Sequence, residues 1–490
     1  MLFLLGLLTV PGFAPFYLFP LPFLTLTVLF GWCHRVPVPA KAAVSGFWFG
    51  MGLFGAGVTW LYVSLHDFGA LPMPLAVVAL IILCGYLSLF PALACWLLAK
   101  LRPTAPLLWA TLAAALWMLC EWLRGTLAGF PWLVIGYTQV PDSPLAGFAP
   151  VTGVYGISLI VVFCAALLAL WFEKGLKQWR YGAAVFAIGA GGYCLQWIDW
   201  VMPEGEPVTV SLLQGNIAQD LKWRADQIEN SMDTYAQLIL ESDSRLIVTP
   251  EISIPLFSDV VPPAYLAYIA EYAKNNRSDV LIGLAERDHD DGAAYYNTMF
   301  SLGTSPEQSY RKHHLVPFGE FIPFKPVFGW IIQMMQIPLT DFSRGSLDQQ
   351  PMSLAGQRVA VNICYEDVFG EEIIHQLPQA SLLVNVSNDA WFGRSIGPQQ
   401  HLQISQMRAL ETGRYMLRAT NTGVTAVIDE RGHVVDAIDI FTTAALHGSA
   451  QGFTGATPYV RAGNYPVLAL AALILCIALL SAFRAGRKTR

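Results

Sequence analysis

Three residues in the C-terminal half of the chain could together form a nucleophilic catalytic site. Glu251 follows the apolar run RLIVTP, Lys312 lies in YRKHHLVPFGEF, and Cys364 ends the run QRVAVNIC. A carboxylate can accept the proton of a thiol, and a fixed ammonium group can stabilise both the thiolate and the oxyanion of a tetrahedral intermediate. The sequence therefore predicts covalent catalysis, with Cys364 as nucleophile, Glu251 as general base and Lys312 as the stabilising cation. The alternatives are an exposed loop carboxylate, a solvated surface lysine and a buried structural thiol.

Cys364 is distinguished by its isolation. It is the only cysteine between residues 205 and 455, whereas the other seven lie in or beside apolar runs, where a thiol behaves as a small hydrophobe. The acidic segment YEDVFGEEIIHQL follows Cys364 and predicts a helix, so the thiol would lie at a sharp turn from strand to helix. The positive end of the helix dipole and a neighbouring ammonium group would lower its pKa.

Other kinds of chemistry find no support in the sequence. A Ser-His-Asp site lacks its G-x-S-x-G turn, and His313, His314 and His401 lack the spacing of zinc ligands. The glycines form neither a G-x-G-x-x-G motif nor a P-loop, so neither a cofactor nor a metal is predicted. The net charge is −6, and no basic face suggests a nucleic-acid partner.

The elements that would position these residues alternate between short β-rich runs and longer helical patterns. This alternation predicts an α/β domain of mixed sheets covered by helices over residues 206–455. Two linkers, near 199–207 and 452–464, would join this domain to the rest of the chain. The predicted strands are VTVSLLQ, RLIVTP, DVLIGLA, YNTMFSLG, VAVNIC, SLLVNVS and TAVID, and the predicted helices cover 224–241, 262–276, 370–377 and 398–412.

The rest of the chain is too apolar for a soluble protein. Hydrophobic residues make up 54% of the sequence and charged residues 13%, with the long apolar runs concentrated in 1–199 and 465–483. A membrane-spanning helix needs about 20 mostly apolar residues. With that length, eight spans are predicted, seven within 1–199 and the eighth at 465–483, followed by a basic tail at 484–490. They lie near 1–15, 16–33, 42–65, 74–99, 105–122, 153–172, 181–199 and 465–483.

The basic residues of the short loops predict the orientation in the membrane. Lys and Arg are retained in cytoplasmic loops, and eight alternating spans place the basic loops near Arg35, Lys100 and Lys174 on the same side as the C-terminal tail. Both termini are then cytoplasmic, and the domain 206–455 is periplasmic.

The blocks TPEISIP, YRKHHLVPFGEFIPF and NICYEDVFGE resemble the three signature blocks of the nitrilase superfamily. Its members use a Glu-Lys-Cys triad on an α-β-β-α sandwich. Over essentially the whole chain, the sequence is also similar to the bacterial apolipoprotein N-acyltransferases, membrane-embedded members of that superfamily. The further matching blocks are QGNIAQDLKW, SNDAWFGRSIGPQQH, RALETGR and GFPWLVIGYTQV.

This resemblance implies transfer of an acyl chain from a phospholipid, preferably phosphatidylethanolamine, through a cysteine thioester. The acceptor would be the α-amino group of the S-diacylglyceryl cysteine that begins an apolipoprotein, in the bacterial inner membrane. By motif, Cys364 would be the nucleophile, Glu251 the base and Lys312 the oxyanion stabiliser. The resemblance gives supporting or substrate-placing roles to Glu320, Trp223, Tyr365, Glu366 and Trp391.

Two other functions compete with this interpretation. A membrane-anchored amidase or nitrilase would release the thioester to water, and the triad alone does not distinguish it. The apolar stretch 324–339 argues against it, because exposed patches of this kind meet a membrane or a partner. Together with Trp391 and Phe392, this stretch is predicted to form loops that admit lipid tails. A transporter or receptor with a degenerate, non-catalytic outer domain would instead need ionisable residues at mid-membrane, which are nearly absent.

Overall fold

The protein is described here from a computed structural model, which covers residues 1–288, 294–323, 325–326 and 341–488. The chain divides into two compact units. The first comprises Met1–Tyr62, Met73–Asp199 and the chain from Arg461 onward, and the second comprises Val63–Pro72 and Trp200–Val460. The short segment Val63–Pro72 therefore interrupts the first unit and belongs to the second, which the hydropathy pattern does not indicate.

The first unit is helical and rich in apolar side chains. Pro39 and Pro106 each stand in the first turn of a helix, where the missing N–H of proline costs no hydrogen bond. The helices are α1 Leu2–Thr9, α2 Pro20–Arg35, α3 Pro39–Gly57, α4 Trp60–Val63, α5 Met73–Leu101, α6 Pro106–Ala128, α7 Ala149–Lys174, α8 Arg180–Leu195 and, at the end of the chain, α14 Tyr465–Lys488.

The predicted number of eight membrane spans is not confirmed. Four helical stretches within the described residues are long and apolar enough to cross a membrane: Met73–Leu101, Pro106–Ala128, Pro144–Lys174 and Tyr465–Arg484. A bent pair, Pro39–Gly57 with Trp60–Phe68, forms a fifth if its two helices, 57° apart, are one span.

Helix length explains the difference from the predicted count. Helices α2 and α8 have 16 residues each, which is about 24 Å of helix against about 30 Å of hydrocarbon. The predicted span 1–15 becomes an apolar helix of Leu2–Gly12, whose α-helical part ends at Thr9 and continues as a 3-10 turn that contains Pro11. Hydropathy thus detects the apolar runs but not the breaks within them.

The second unit contains two six-stranded mixed sheets. In the first, the strand order is β12-β1-β2-β3-β4-β5, and in the second it is β11-β10-β9-β8-β7-β6. The strands are β1 Val201–Gln214, β2 Leu246–Val248, β3 Asp279–Arg287, β4 Tyr295–Gly303, β5 Ser309–Arg311, β6 Met352–Leu354, β7 Gln357–Ile363, β8 Leu382–Ser387, β9 Met416–Thr420, β10 Thr425–Ile428, β11 Val434–Ile438 and β12 Ala444–Gly455.

Alternating side chains hold four layers together. Successive residues of a strand face opposite sides of the sheet. Leu212 and Leu281 therefore join the core formed by both sheets, and their neighbours Leu213 and Val280 pack with helix residues such as Ile269. A third cluster joins the second sheet to its own helices. The helices of this unit are α9 Ile228–Leu240, α10 Pro263–Asn275, α11 Gly370–Ile373, α12 Gly397–Thr412 and α13 Pro458–Ala462.

Strands β1 and β12 correct the two predicted linkers. They pair antiparallel from Gln214 opposite Ala444 to Val201 opposite Gly455, with an irregularity between Glu204 and Val208. Most of the first predicted linker, and residues 452–455 of the second, are therefore part of the ladder. The proline and glycine residues that suggested loops fit an edge pairing. The predicted lipid-admitting stretch 324–339 lies outside the described residues, apart from 325–326.

Candidate active site

Strand ends position the three residues of the predicted triad. Glu251 follows β2 by three residues, Lys312 directly follows β5, and Cys364 directly follows β7. Strands β2 and β5 belong to one sheet and β7 to the other. The site therefore lies where both sheets of the sandwich contribute residues, and a rigid core fixes each side chain.

The carboxylate of Glu251 is held by three donors. Its Oε1 accepts hydrogen bonds from Lys312 Nζ at 3.1 Å and from Asn297 Nδ2 at 2.7 Å, and its Oε2 accepts from the backbone N–H of Asn388 at 3.0 Å. Lys312 Nζ also donates to Glu320 Oε1 at 2.9 Å. Asn297 Nδ2 reaches that same Glu320 oxygen at 3.2 Å, so one lysine and one asparagine bridge two carboxylates.

Cys364 occupies a sharp turn. Its backbone φ is 55°, in the left-handed region that non-glycine residues rarely adopt outside functional sites. A 3-10 turn over Cys364–Val368 follows, in place of the predicted longer helix. Cys364 is partly exposed as a whole residue, and Ser387 Oγ lies within hydrogen-bonding distance of its Sγ, at 3.2 Å. Asn385 Nδ2 donates to the Cys364 carbonyl at 3.1 Å, which helps hold the turn.

The charges of the site leave the thiol protonated and the base ionised. Burial raises the pKa of Cys364 well above its ordinary value, and the negative charge of Glu251 adds to that rise. The positive charge of Lys312 acts to lower the pKa of Cys364, but burial and Glu251 outweigh it. The predicted lowering of the thiol pKa is therefore wrong. Burial would also raise the pKa of Glu251, but the ammonium groups of Lys312 and Lys222 hold it below its usual range. The resting pair is therefore a thiol beside a carboxylate, as general-base catalysis requires.

Lys312 is a permanent cation in this setting. Its side chain is buried, and burial alone would lower its pKa. The carboxylates of Glu251 and Glu320 outweigh that effect and raise the pKa well above its ordinary value. Removing either carboxylate would therefore lower the pKa of Lys312 and weaken the positive charge that stabilises the remaining carboxylate.

Glu366 braces the two loops that carry Lys312 and Cys364. One oxygen accepts from the backbone N–H groups of His313 and His314 at 2.6 and 3.1 Å. The other accepts from the N–H of Ile363 at 2.6 Å and from the Tyr310 hydroxyl at 3.1 Å. Burial raises its pKa to about 7, while the backbone N–H groups act in the opposite direction. These contacts fit a positioning residue better than one that touches substrate.

Lys222 is a second buried amine at the site. Its Nζ donates to the Glu251 carbonyl at 3.2 Å, and burial lowers its pKa to about 8 although Glu251 and Cys364 act to raise it. The neighbouring Trp223 packs against the small cluster that contains Ile252 and Leu315. The loop after β1 thus covers the base with one cation and one aromatic side chain.

The two remaining aromatic residues lie around Cys364 and after β8. The Tyr365 ring packs on Phe369 at 5.5 Å and on His314 at 6.0 Å between centroids. The Trp391 carbonyl accepts from Ser64 Oγ at 2.7 Å, and its ring meets Phe68 edge-on at 6.0 Å. The segment Val63–Pro72 therefore contacts the turn that follows β8.

The sequence pattern did not identify three of the polar residues described here: Asn297, Lys222 and Ser387. Asn297 lies in mid-strand, and its one signal is an amide at a buried position of β4. Lys222 is adjacent to Trp223, which the resemblance did single out. Together with the predicted residues they form a nucleophile, a base and fixed cations, which is the equipment for acyl transfer through a covalent intermediate.

Comparison with known proteins covers the whole chain. Residues 5–167 match the family model described as apolipoprotein N-acyltransferase N-terminal domain, and residues 209–448 match the carbon-nitrogen hydrolase model. An apolipoprotein N-acyltransferase of Nitrosomonas europaea is 66% identical over 490 residues, which cover 99% of this chain and 98% of that protein. Proteins of the same description from Chromobacterium violaceum and Vibrio cholerae are 44% and 37% identical, with 98% and 99% of this chain and 93% and 96% of theirs covered.

Proposed function

The chain belongs to the apolipoprotein N-acyltransferase family, and from this premise we propose that it N-acylates apolipoproteins through a thioester on Cys364. The acyl donor is a phospholipid, with phosphatidylethanolamine as the preferred one. The acceptor is the α-amino group of the N-terminal S-diacylglyceryl cysteine. Cys364 is the nucleophile, Glu251 the general base and Lys312 the cation that stabilises the oxyanion.

The first half-reaction loads the enzyme. Glu251 takes the proton of the Cys364 thiol, and the sulfur attacks the carbonyl carbon of a phospholipid ester. A C–S bond forms, the ester C–O bond breaks, and the departing lysophospholipid oxygen takes the proton from Glu251. Within the described residues, the Lys312 ammonium group donates hydrogen bonds to the carboxylates of Glu251 and Glu320. Its third N–H donates to the oxyanion.

The second half-reaction unloads the enzyme. The acceptor amine attacks the thioester carbon, a C–N bond forms and the C–S bond breaks. The amine proton passes to Glu251 and then to the released sulfur. An α-amino group with a pKa near 8 is partly unprotonated at neutral pH, so the acceptor needs no further activation.

One observation carries this proposal: Lys312 Nζ lies 3.1 Å from Glu251 Oε1, the charge of Glu251 acts on the pKa of Cys364, and Cys364 occupies a turn with a left-handed backbone. Phospholipid alone should therefore acylate the full-length protein. Mass spectrometry after incubation without acceptor should find one acyl chain on the peptide that contains Cys364, labile to hydroxylamine. Adding a diacylglyceryl peptide should discharge it as an amide.

The Cys364→Ser variant is the control, and it should carry no acyl group because a hydroxyl is a far weaker nucleophile here. An unacylated Cys364 peptide in an enzyme that still transfers acyl chains would contradict the thioester. Release of free fatty acid without amide formation would instead identify the membrane-anchored hydrolase.

The proposed location is the bacterial inner membrane, with the second unit in the periplasm. The Lys- and Arg-containing loops near Arg35, Lys100 and Lys174 support this orientation. Eight crossings, the number that we propose, count the bent pair as one span and also require α2, α8 and the short apolar helix Leu2–Gly12 to cross. Local thinning of the bilayer can accommodate such short helices at modest cost.

A further inference from the structure

A buried cluster of charged residues lies behind the nucleophile. Asp389 and Asp367 are the anions, and His401 and Arg418 are the cations. All four side chains are at most 2% exposed. His401 Nδ1 lies 2.8 Å from Asp389 Oδ1, and its Nε2 lies 2.9 Å from Asp367 Oδ1. Arg418 reaches Asp389 Oδ2 at 2.7 Å and Asp367 Oδ2 at 3.4 Å.

The cluster is electrically neutral when His401 is charged. Both ring nitrogens face carboxylate oxygens, so both must donate. Burial would lower the pKa of His401, but the two aspartates raise it to about 9. Two anions and two cations then compensate one another, which a buried set of charges requires.

Ser387 connects this cluster to the reacting sulfur. It is the last residue of β8 and is fully buried. Its hydroxyl lies 2.6 Å from Asp389 Oδ1 and 3.2 Å from Cys364 Sγ, and both atoms can accept its single proton. The shorter distance favours Asp389 while the sulfur is a neutral thiol.

We propose that Ser387 is a further catalytic residue, whose hydroxyl donates to Asp389 in the resting enzyme and to the Cys364 sulfur whenever that sulfur is negatively charged. This inference rests on the proposed role of Cys364 as nucleophile. When Glu251 takes the thiol proton, the Ser387 O–H rotates toward the thiolate, and no proton leaves the serine. When the C–S bond forms, the sulfur loses its charge and the O–H returns to Asp389.

The other donors of the cluster reduce the free-energy cost of rotating the Ser387 hydroxyl away from Asp389. When Ser387 turns away, Asp389 Oδ1 keeps the hydrogen bond of His401, and Oδ2 keeps that of Arg418. Without the serine proton, the negative charge of Asp389 acts directly to raise the pKa of the thiol, whereas the Ser387 hydrogen bond lowers it. The Ser387 hydrogen bond therefore stabilises the Cys364 thiolate against repulsion by the negative charge of Asp389.

The test is the rate at which iodoacetamide alkylates Cys364 in the full-length protein, followed by mass spectrometry of the Cys364 peptide. The charged or titratable groups around the Cys364 turn, all of which remain in the variant, are Glu251, Lys312, Lys222, Glu366, Asp367, Asp389, His401 and Arg418. Below the thiol pKa, the thiolate fraction falls tenfold for each unit by which that pKa rises, and the higher nucleophilicity of the more basic thiolate offsets part of that loss. We expect Ser387→Ala to slow alkylation about 10- to 100-fold between about pH 7 and 9, and to lower acyl transfer similarly.

The matched control is Ser405→Ala. Ser405 is equally buried and donates to Asp367 Oδ2 at 2.5 Å, so it belongs to the same cluster but does not touch the sulfur. Its alkylation profile should match that of the unaltered protein. Equal slowing in both variants would reduce Ser387 to a structural role and overturn the proposal, as would an unchanged rate in Ser387→Ala.

Unfolding of the Ser387→Ala variant would change the alkylation rate in the opposite direction, so it cannot be mistaken for the predicted slowing. The native thiol has a pKa above its ordinary value, so an unfolded chain alkylates faster, not slower. Alkylation also reports on Ser387 whether or not acyl transfer is observed. An unaltered protein without transfer activity would therefore contradict the proposed function while leaving the serine assignment to be decided by the alkylation rates.

Discussion

Replacing Glu251 with glutamine should separate the two roles of its carboxylate. In the proposed mechanism it is the general base for acyl transfer, and as a negative charge it raises the pKa of Cys364. Glutamine has the same shape but neither accepts the proton nor carries the charge. Whichever way the amide is oriented, it cannot accept from Lys312 and Asn297 on one side and from the Asn388 N–H on the other.

The expected effects have opposite signs. Loss of a general base costs about 10²- to 10⁴-fold in acyl transfer. Two like charges a few ångströms apart at an effective dielectric constant of about 20 repel by on the order of 3 kcal/mol, which corresponds to about 2 pKa units. Removing the Glu251 charge should therefore make Cys364 more acidic and its alkylation by iodoacetamide up to about 100-fold faster at neutral pH.

The assay compares the two rates in Glu251→Gln and in a control, Glu286→Gln. Glu286 is similarly buried and pairs with Arg311, the residue before Lys312, at 2.7 Å. Its replacement should leave both the transfer rate and the alkylation rate within a few-fold of those of the unaltered protein. If alkylation of Glu251→Gln instead slows in parallel with transfer, the thiol is activated by a preformed ion pair, and the assignment of a protonated resting thiol is refuted.

Three further predictions concern Glu366, the buried His401 and the orientation of the chain in the membrane. Glu366→Gln converts one acceptor oxygen into a donor that faces two hydrogen-bond donors, so thermal unfolding should reveal a loss of roughly 2–6 kcal/mol, together with slower acyl transfer. The stabilisation from His401 is complete below about pH 6.5 and is lost as the pH rises through about 9, so the unaltered protein should lose roughly 3 kcal/mol over that range and His401→Asn should not. A periplasmic reporter fused after residue 210 should be active, and activity of a cytoplasmic reporter there would contradict the proposed orientation.

The residues of the triad were predictable because strand ends are marked in the sequence. The β-rich runs before Glu251 and Cys364 stop at proline or at a run of acids, and the segment around Lys312 contains proline and glycine. Such punctuation locates loops without any knowledge of the tertiary structure. Mixed sheets were likewise predicted from the alternation of elements, and the sandwich of two sheets was implied by the resemblance to the nitrilase superfamily.

The remaining residues of the site depend on pairings between distant strands. Asn297 and Glu251 are 46 residues apart, and Ser387 and Cys364 are 23 apart, and no local pattern specifies either contact. The pKa of Cys364 was mispredicted for the same reason: burial and the Glu251 charge arise only when the sheets assemble. The predicted number of membrane spans is not confirmed, because α2 and α8 are shorter than the apolar runs that contain them.

The segment Val63–Pro72 has a consequence for how the second unit is completed during synthesis. It leaves the ribosome well before Trp200, the residue at which the rest of that unit begins. Its Ser64 hydroxyl and Phe68 ring meet Trp391 only after more than three hundred further residues have been made. A fragment that starts at Trp200 would lack both contacts. Packing around Trp391 is therefore complete only when residues from an early part of the polypeptide contact the turn after β8.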